Sequence, residues 1–319
     1  MSDNGYAVRL EGVTKRFGKH TAVSALDLEV PKGVIYGLLG PNGSGKTTTI
    51  RMIMGILHPD EGRVSLFGGD ADEVRRKRVG YLPEERGVYR KMKCLDLVVF
   101  LAEIRGIPRG EGRKRALHWL ERLGLPEWAD KKVEDLSKGM QQKIQFIGTV
   151  IHEPELLILD EPFSGLDPIN QDVLEEIVLD FHGRGTTILF STHLMDQAER
   201  LCQRVCLISR AKKVLDADLK ELKAAERKGL VAVEFDGPDR WLDGPEIQSI
   251  EAANGVTYLL LHDGADHQAI LRRGVSAGAT IYRFDLVEPR LHEIFVRRVG
   301  DAAAEEAGVP QQASQGGGR

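Results

Sequence analysis

The sequence of 319 residues has no long apolar run, no block of like charge and little cysteine. Its uninterrupted apolar stretches, such as Leu97 to Leu101 and Leu156 to Leu159, are far short of the roughly 20 residues that cross a bilayer. The first five residues, Met1 to Gly5, lack a charged segment followed by an apolar one, so no signal peptide is expected. Any work at a membrane then calls for a partner that does the spanning. Net charge is −4, and no run of five or more like charges occurs, which argues against a nucleic-acid surface. The three cysteines, Cys94, Cys202 and Cys206, have no metal-ligand spacing and suggest a reducing compartment, with the thiols serving as small hydrophobes. Cys202 and Cys206 lie four apart and can share a helix face, so a redox pair competes with plain packing there.

Against these absences stands one complete motif. Gly40-Pro41-Asn42-Gly43-Ser44-Gly45-Lys46-Thr47 is a glycine-rich loop. The apolar segment Val34 to Leu39 before it reads as a buried strand. Thr48 to Leu57 after it reads as a helix, with Ile50, Ile53, Met54 and Leu57 on one face. Strand, loop, helix is the context in which such a loop cradles phosphates. Glycines turn backbone N–H groups toward an anion, and the helix N-terminus adds favourable partial charge. Lys46 can reach the β- and γ-phosphates, and the Thr47 hydroxyl can ligate Mg²⁺. The chain is expected to bind a nucleoside triphosphate.

The length allows two domains. Residues from about Val8 to Val30 alternate around a Gly18-Lys19 turn and read as antiparallel β-structure. From about Cys94 to Val150 three amphipathic helices are expected, the third capped by Ser137. Strand–helix alternation then resumes: Leu156 to Leu159, Asp172 to Phe181, Thr187 to Phe190, Leu194 to Leu201, and Val205 to Ile208. A charged helix near Lys220 to Gly229 marks a boundary. Beyond it, strands at Leu230 to Phe235, Thr257 to Leu261 and Thr280 to Phe284, with helices at His267 to Arg273 and Arg290 to Arg298, form a small α+β module. Residues 301–319 carry no apolar periodicity and read as a disordered tail.

The loop has a partner in Leu156-Leu157-Ile158-Leu159-Asp160-Glu161-Pro162, an apolar strand ending in two carboxylates. An aspartate there can hold Mg²⁺, and the next carboxylate can orient an attacking water. The competing reading is a pair of acids in a solvated turn. Four more pieces follow the same order: Phe17 in Lys15-Arg16-Phe17-Gly18, Leu136-Ser137-Lys138-Gly139-Met140, Ser164-Gly165-Leu166-Asp167, and Ser191-Thr192-His193. With these in place the chain resembles the ATP-binding cassette (ABC) family over about residues 8–215.

That resemblance implies an α/β phosphate-loop NTPase core of ABC type, with an antiparallel β-subdomain and an α-helical insert at about 90–150. The cassette would span 1–218 and the α+β accessory domain 219–300. It further implies that the chain is an ATPase. Phe17 would stack on adenine, against ordinary sheet packing as its other reading. Gly40, Asn42, Gly43, Ser44, Gly45, Lys46, Thr47 and Thr48 would cradle the phosphates. Asp160, with Thr47 and Glu84, would support Mg²⁺. Glu161 would be the general base and His193 would contact the γ-phosphate. Ser137 and Gly139 would act in trans, facing the nucleotide of a second cassette, in a homodimer or a heterodimer.

Two stretches depart from the usual family pattern. The signature reads Leu-Ser-Lys-Gly-Met, with Lys138 expected to point into solvent. The segment Gly80 to Gly87 is read as a loop with Glu84 where a glutamine usually stands. Both resemble the sodium-efflux-type ATPase subunits of bacterial exporters, which often carry a C-terminal accessory domain. The expected assembly is a cytoplasmic subunit, peripheral on the inner face of the membrane, using ATP and Mg²⁺ to energise a separate transmembrane permease and binding no nucleic acid. The alternative is a soluble ABC ATPase acting on nucleic acid or ribosomes. A phosphate-loop GTPase would want Asn-Lys-x-Asp, and no asparagine here precedes a lysine.

Overall fold

A computed structural model describes residues 5–85, 87, 89–227, 229–253 and 255–306, with side chains at the same positions except 73, 74 and 301–306. The chain divides into two compact units, 1–217 and 218–319.

The first unit opens with two strands, β1 (Tyr6–Phe17) and β2 (His20–Pro31), paired antiparallel with Phe17 opposite His20 across Gly18-Lys19. The buried strand β3 (Ile35–Leu39) leads through the glycine-rich loop into α1 (Lys46–Ile53). This helix begins two residues before the position read from the sequence and stops four earlier. The chain turns out of it through Gly55, whose φ of +69° is the left-handed geometry that ends helices. Then come β4 (Glu61–Leu66), β5 (Gly69–Asp70), a short helix α2 (Glu73–Arg76) and β6 (Val79–Leu82). Gly80 to Leu82 therefore belong to a strand, not to the loop expected there; β6 pairs parallel with the strand that ends at Asp160.

Three helices follow as the periodicity requires: α3 (Cys94–Ile104), α4 (Arg109–Arg122) and α5 (Lys138–Val150). Ser137 caps α5, its hydroxyl accepting from the Met140 N–H at 3.3 Å. The insert is pinned to the core by aromatic contact: Trp119 of α4 stacks on Phe181 with ring centroids 6.0 Å apart. The core resumes with β7 (Leu156–Asp160), α6 (Pro168–Gly183), β8 (Thr187–Thr192), α7 (Met195–Leu201), β9 (Arg204–Ser209) and β10 (Lys212–Asp218).

Two sheets result. One is antiparallel, in the order β2-β1-β4-β5. The other has six strands, in the order β10-β9-β3-β8-β7-β6, with the pairs β9–β3, β3–β8, β8–β7 and β7–β6 parallel. The continuous apolar runs of β3, β7 and β8 are buried on both faces, as parallel strands covered by helices must be. This order sets the C-terminal ends of β3, β7 and β8 side by side, the edge where open α/β sheets bind ligands. Cys202 lies at the end of α7 and Cys206 inside β9, so the two do not share a helix face. All three cysteines are buried and unbridged, and burial pushes the Cys94 thiol up to about 11.

The second unit holds α8 (Leu219–Ala225), β11 (Leu230–Asp236), β12 (Ile247–Ala253), β13 (Val256–Leu261), α9 (His267–Ser276), β14 (Thr280–Leu286) and α10 (Leu291–Glu306). Its antiparallel sheet runs β12-β13-β11-β14 around a core of Val231, Val233, Trp241, Leu259 and Ile270. Strand β12 is absent from the sequence-based expectation because it is an edge strand with six of its seven residues exposed, so it carries no apolar alternation. Helix α10 runs through Glu306, six residues into the stretch read as tail. The remainder of that expected tail, 307–319, lies outside the described residues.

Among the described residues no helix is long and apolar enough to cross a membrane.

Candidate nucleotide site

The loop from Gly40 to Gly45 follows from where its glycines stand. Gly40 has φ +152°, and a Cβ there would fall 2.1 Å from the Ile208 carbonyl oxygen. Gly45 has φ +114° and would meet the Ala22 carbonyl oxygen at 2.4 Å. At both positions only glycine fits, because the obstruction is backbone rather than a movable side chain. The Ala211 N–H donates to the Ser44 carbonyl at 3.2 Å, tying the loop to the turn between β9 and β10.

Lys46 is 6% exposed and donates from Nζ to the Gly40 carbonyl at 2.8 Å and the Pro41 carbonyl at 3.2 Å. Burial lowers its pKa, and the nearby Glu161, Asp160 and Glu84 charges oppose that shift. Its ammonium thus lies inside the loop with loop carbonyls as acceptors. The buried Ser44 hydroxyl has no partner among the described residues.

The two carboxylates at the end of β7 differ in setting. Asp160 is wholly buried; burial raises its pKa, while the Ser191 and Thr47 hydroxyls pull the other way. The Ser191 hydroxyl donates to Oδ1, and Oδ2 has no hydrogen-bond partner among the described residues. A buried, unpartnered carboxylate oxygen beside a threonine hydroxyl suits a hard divalent cation, which takes oxygen ligands. Glu161 is 8% exposed and sits at φ +51°, a left-handed conformation that costs a non-glycine residue about 1–3 kcal/mol. Its N–H donates to the Ser191 carbonyl at 3.1 Å. Its Oε1 lies 2.9 Å from His193 Nδ1 and 3.9 Å from Lys46 Nζ; its Oε2 accepts from the Thr192 hydroxyl at 3.4 Å.

These groups open on a cleft of about 480 Å³, lined among others by Phe17, Asn42, Lys46, Thr47, Glu84 and Glu161. Gly43, Gly45 and Thr48 also line it. Phe17 is 47% exposed at its rim, with Lys15 Nζ 5.7 Å from the ring centroid. His20 and Ala22 line it too, though neither belongs to a motif in the sequence. They reach the cleft because β2 returns antiparallel to Phe17, a pairing that no motif announces. Ser137 and Gly139 do not line this cleft, and Ser137 and Lys138 are exposed.

Helix α5 links the separate pieces. Gln142 donates to the Pro162 carbonyl at 3.1 Å, one residue past Glu161. Gln145 donates to the Glu85 carbonyl at 3.3 Å, one residue past Glu84. Thr149 donates toward the Tyr81 carbonyl at 3.2 Å. Neither glutamine is legible as functional in the sequence, since its partner is a backbone carbonyl far away along the chain.

Comparison with known proteins gives the family and the fold. The family model described as "ABC transporter" matches residues 23–164, and that described as "ATP-binding protein DrrA1-3-like, C-terminal domain" matches 218–299. The chain is 44% identical over 293 residues to the "Uncharacterized ABC transporter ATP-binding protein YhaQ" of Bacillus subtilis, covering 91% of this chain and 98% of that one. It is 34% identical over 300 residues to the "Nod factor export ATP-binding protein I" of Ralstonia nicotianae, covering 91% and 93%. Among solved structures it is similar to an ATP-binding subunit of an ABC transporter, with a TM-score of 0.64 at 27% identity, covering 69% of this chain and 92% of the other.

Proposed function

Since the chain belongs to the family of ABC transporter ATP-binding proteins and is an ATPase of that family, we propose that it energises an exporter whose membrane-spanning permease is a separate protein. The grouping of Asp160 and His193 around Glu161 and Lys46, the two that line the cleft, at the end of the parallel strands carries the catalytic part of this reading. The relative named for Nod factor export supports the direction of transport.

In this reading Gly40, Asn42, Gly43, Ser44, Gly45 and Thr48 cradle the phosphates of ATP with backbone N–H groups and hydroxyls. Lys46 exchanges its two carbonyl acceptors for β- and γ-phosphate oxygens. Phe17 stacks on the adenine. Thr47, Asp160 and Glu84 hold Mg²⁺, which when bound neutralises charge on the phosphate oxygens. Glu161 accepts the proton of the attacking water. His193 keeps one oxygen of that carboxylate occupied and reaches the γ-phosphate. Ser137, exposed, and Gly139, half-buried, at the start of α5 serve the nucleotide of a second cassette, most simply a second copy of this chain.

A groove of about 590 Å³ opens beside α5, lined by Pro83, Tyr89, Leu97, Leu101, Ile104 and Gln145 among others. It is mainly apolar with Arg76, Lys77 and Arg105 at its border, and Ile104 and Tyr89 are more than half exposed. Gln145 borders this groove and holds the Glu85 carbonyl, so a permease seated here would touch α5, which holds the segment carrying Glu84 and reaches Pro162 through Gln142. The protein would then work at the cytoplasmic face of the membrane. The test is recovery of a multi-spanning membrane protein with the tagged chain from detergent extracts. Ile104→Asp, a surface change, should abolish that recovery and leave ATP hydrolysis by the chain intact. Recovery with ribosomes or nucleic acid in place of a membrane protein would overturn the transport reading.

A further inference from the structure

Each carboxylate at the end of β7 is met by a hydroxyl from the adjacent strand. The parallel pairing of β7 and β8 sets Asp160 opposite Ser191. The Ser191 hydroxyl donates to Asp160, and one residue on the Thr192 hydroxyl donates to Glu161 Oε2 at 3.4 Å. Thr192 is wholly buried, and its oxygen accepts the Leu194 N–H at 3.0 Å. That bond occupies the acceptor side of the hydroxyl and leaves its single proton for the carboxylate or for Gln197 Oε1 at 3.5 Å. With Oε1 beside His193 Nδ1 at 2.9 Å, both oxygens of Glu161 have a partner, on a backbone that is itself left-handed at φ +51°.

We propose that Thr192 is a positioning residue for hydrolysis, its hydroxyl holding Oε2 of Glu161 so that the carboxylate keeps one orientation toward the cleft. The inference rests on the reading of Glu161 as the general base. At 3.4 Å the contact is longer than the roughly 2.5–3.0 Å usual for O–H···O, so it steers the carboxylate rather than binding it tightly. Losing it lets the carboxylate turn about its terminal torsion, which is broad unless held. The effect falls on turnover and not on nucleotide binding, because Thr192 does not line the nucleotide cleft.

The experiment is steady-state ATP hydrolysis by the full chain with Mg–ATP, comparing Thr192→Val, Thr192→Ser, Glu161→Gln and the Thr192→Val/Glu161→Gln double variant. Valine keeps the branched shape that a strand position favours and removes only the hydroxyl. Thr192→Val should lower kcat roughly two- to tenfold with KM unchanged, the loss expected for one ordinary hydrogen bond. Thr192→Ser should restore most of kcat, and the double variant should be no slower than Glu161→Gln alone, as expected of groups that act as a unit. If Glu161→Gln is inactive while Thr192→Val turns over normally, the role of Thr192 is refuted and the base assignment stands. A loss that serine does not restore, or one that appears in KM, also refutes it. Normal turnover in Glu161→Gln removes both assignments together.

Discussion

His193 Nδ1 lies 2.9 Å from Glu161 Oε1, although the two residues end different strands 32 positions apart. The contact exists because β7 and β8 are parallel neighbours that end level with one another. It leaves a nearly buried carboxylate with a ring nitrogen on one oxygen and a hydroxyl on the other, while Lys46 Nζ stands 3.9 Å from Oε1. The neighbouring Asp160 has the opposite arrangement, with one oxygen satisfied and one unpartnered. Two adjacent acids thereby acquire different surroundings: both oxygens of one are held, and one oxygen of the other is open.

Asp160 gives the first prediction. Burial raises its pKa, so the folded state holds the proton more tightly than the unfolded chain. The favourable contribution is full below the ordinary carboxylate range and is lost as pH rises through the raised value. The charged form is therefore the one that burial disfavours. Asp160→Asn, which cannot ionise, should gain in Tm over the unaltered chain as pH rises, by ~2–4 °C for each kcal/mol released in a fold of this size. It should also remove the dependence of nucleotide affinity on Mg²⁺. Thermal melts and binding titrations with and without Mg²⁺ measure both, and a lower Tm for the amide across the pH range would contradict the burial cost assigned to this carboxylate.

Much of this site is legible in the amino-acid sequence. The glycine-rich loop, the paired acids and the helix cap at Ser137 depend on local spacing, and local spacing is visible along a chain. What stays hidden depends on strand order. His20 lines the cleft because β2 folds back on β1, and Ser191 meets Asp160 because β8 lies beside β7. The segment around Gly80 is short and contains a glycine, so β6 reads as a loop; it is a strand because its neighbour β7 supplies the pairing. The exposed edge strand β12 lacks an apolar face altogether.

Phe17 gives the second prediction. Its ring stands half exposed at the rim of the cleft rather than packed in the sheet. Phe17→Ala should weaken ATP binding by about 1 kcal/mol, roughly fivefold, as loss of one aromatic stacking contact does. Affinity for inorganic triphosphate should be unchanged. Equal losses for both ligands would place Phe17 in the fold instead of against the base.

Glu84 gives the third. It adds a carboxylate to a cleft that Glu161 already lines, with Lys46 as the one lysine lining it among the described residues. Without Mg²⁺ this charge repels the phosphates. Glu84→Gln should tighten binding of ATP in excess chelator by about 1 kcal/mol, roughly fivefold at low salt, and less as salt is added. Titration calorimetry in chelator at two ionic strengths measures this; equal affinities of the two proteins would remove Glu84 from the phosphate end of the cleft.

The central claim is that Glu161 is the base of a half-site completed by Ser137 and Gly139 of a second cassette. Sedimentation of Glu161→Gln with Mg–ATP, alongside its turnover, tests it most directly. The account predicts turnover reduced at least about a hundredfold, nucleotide affinity retained, and a dimer that forms with ATP and dissociates with ADP. A monomer at every nucleotide condition, or a variant that hydrolyses ATP at the rate of the unaltered chain, would contradict it.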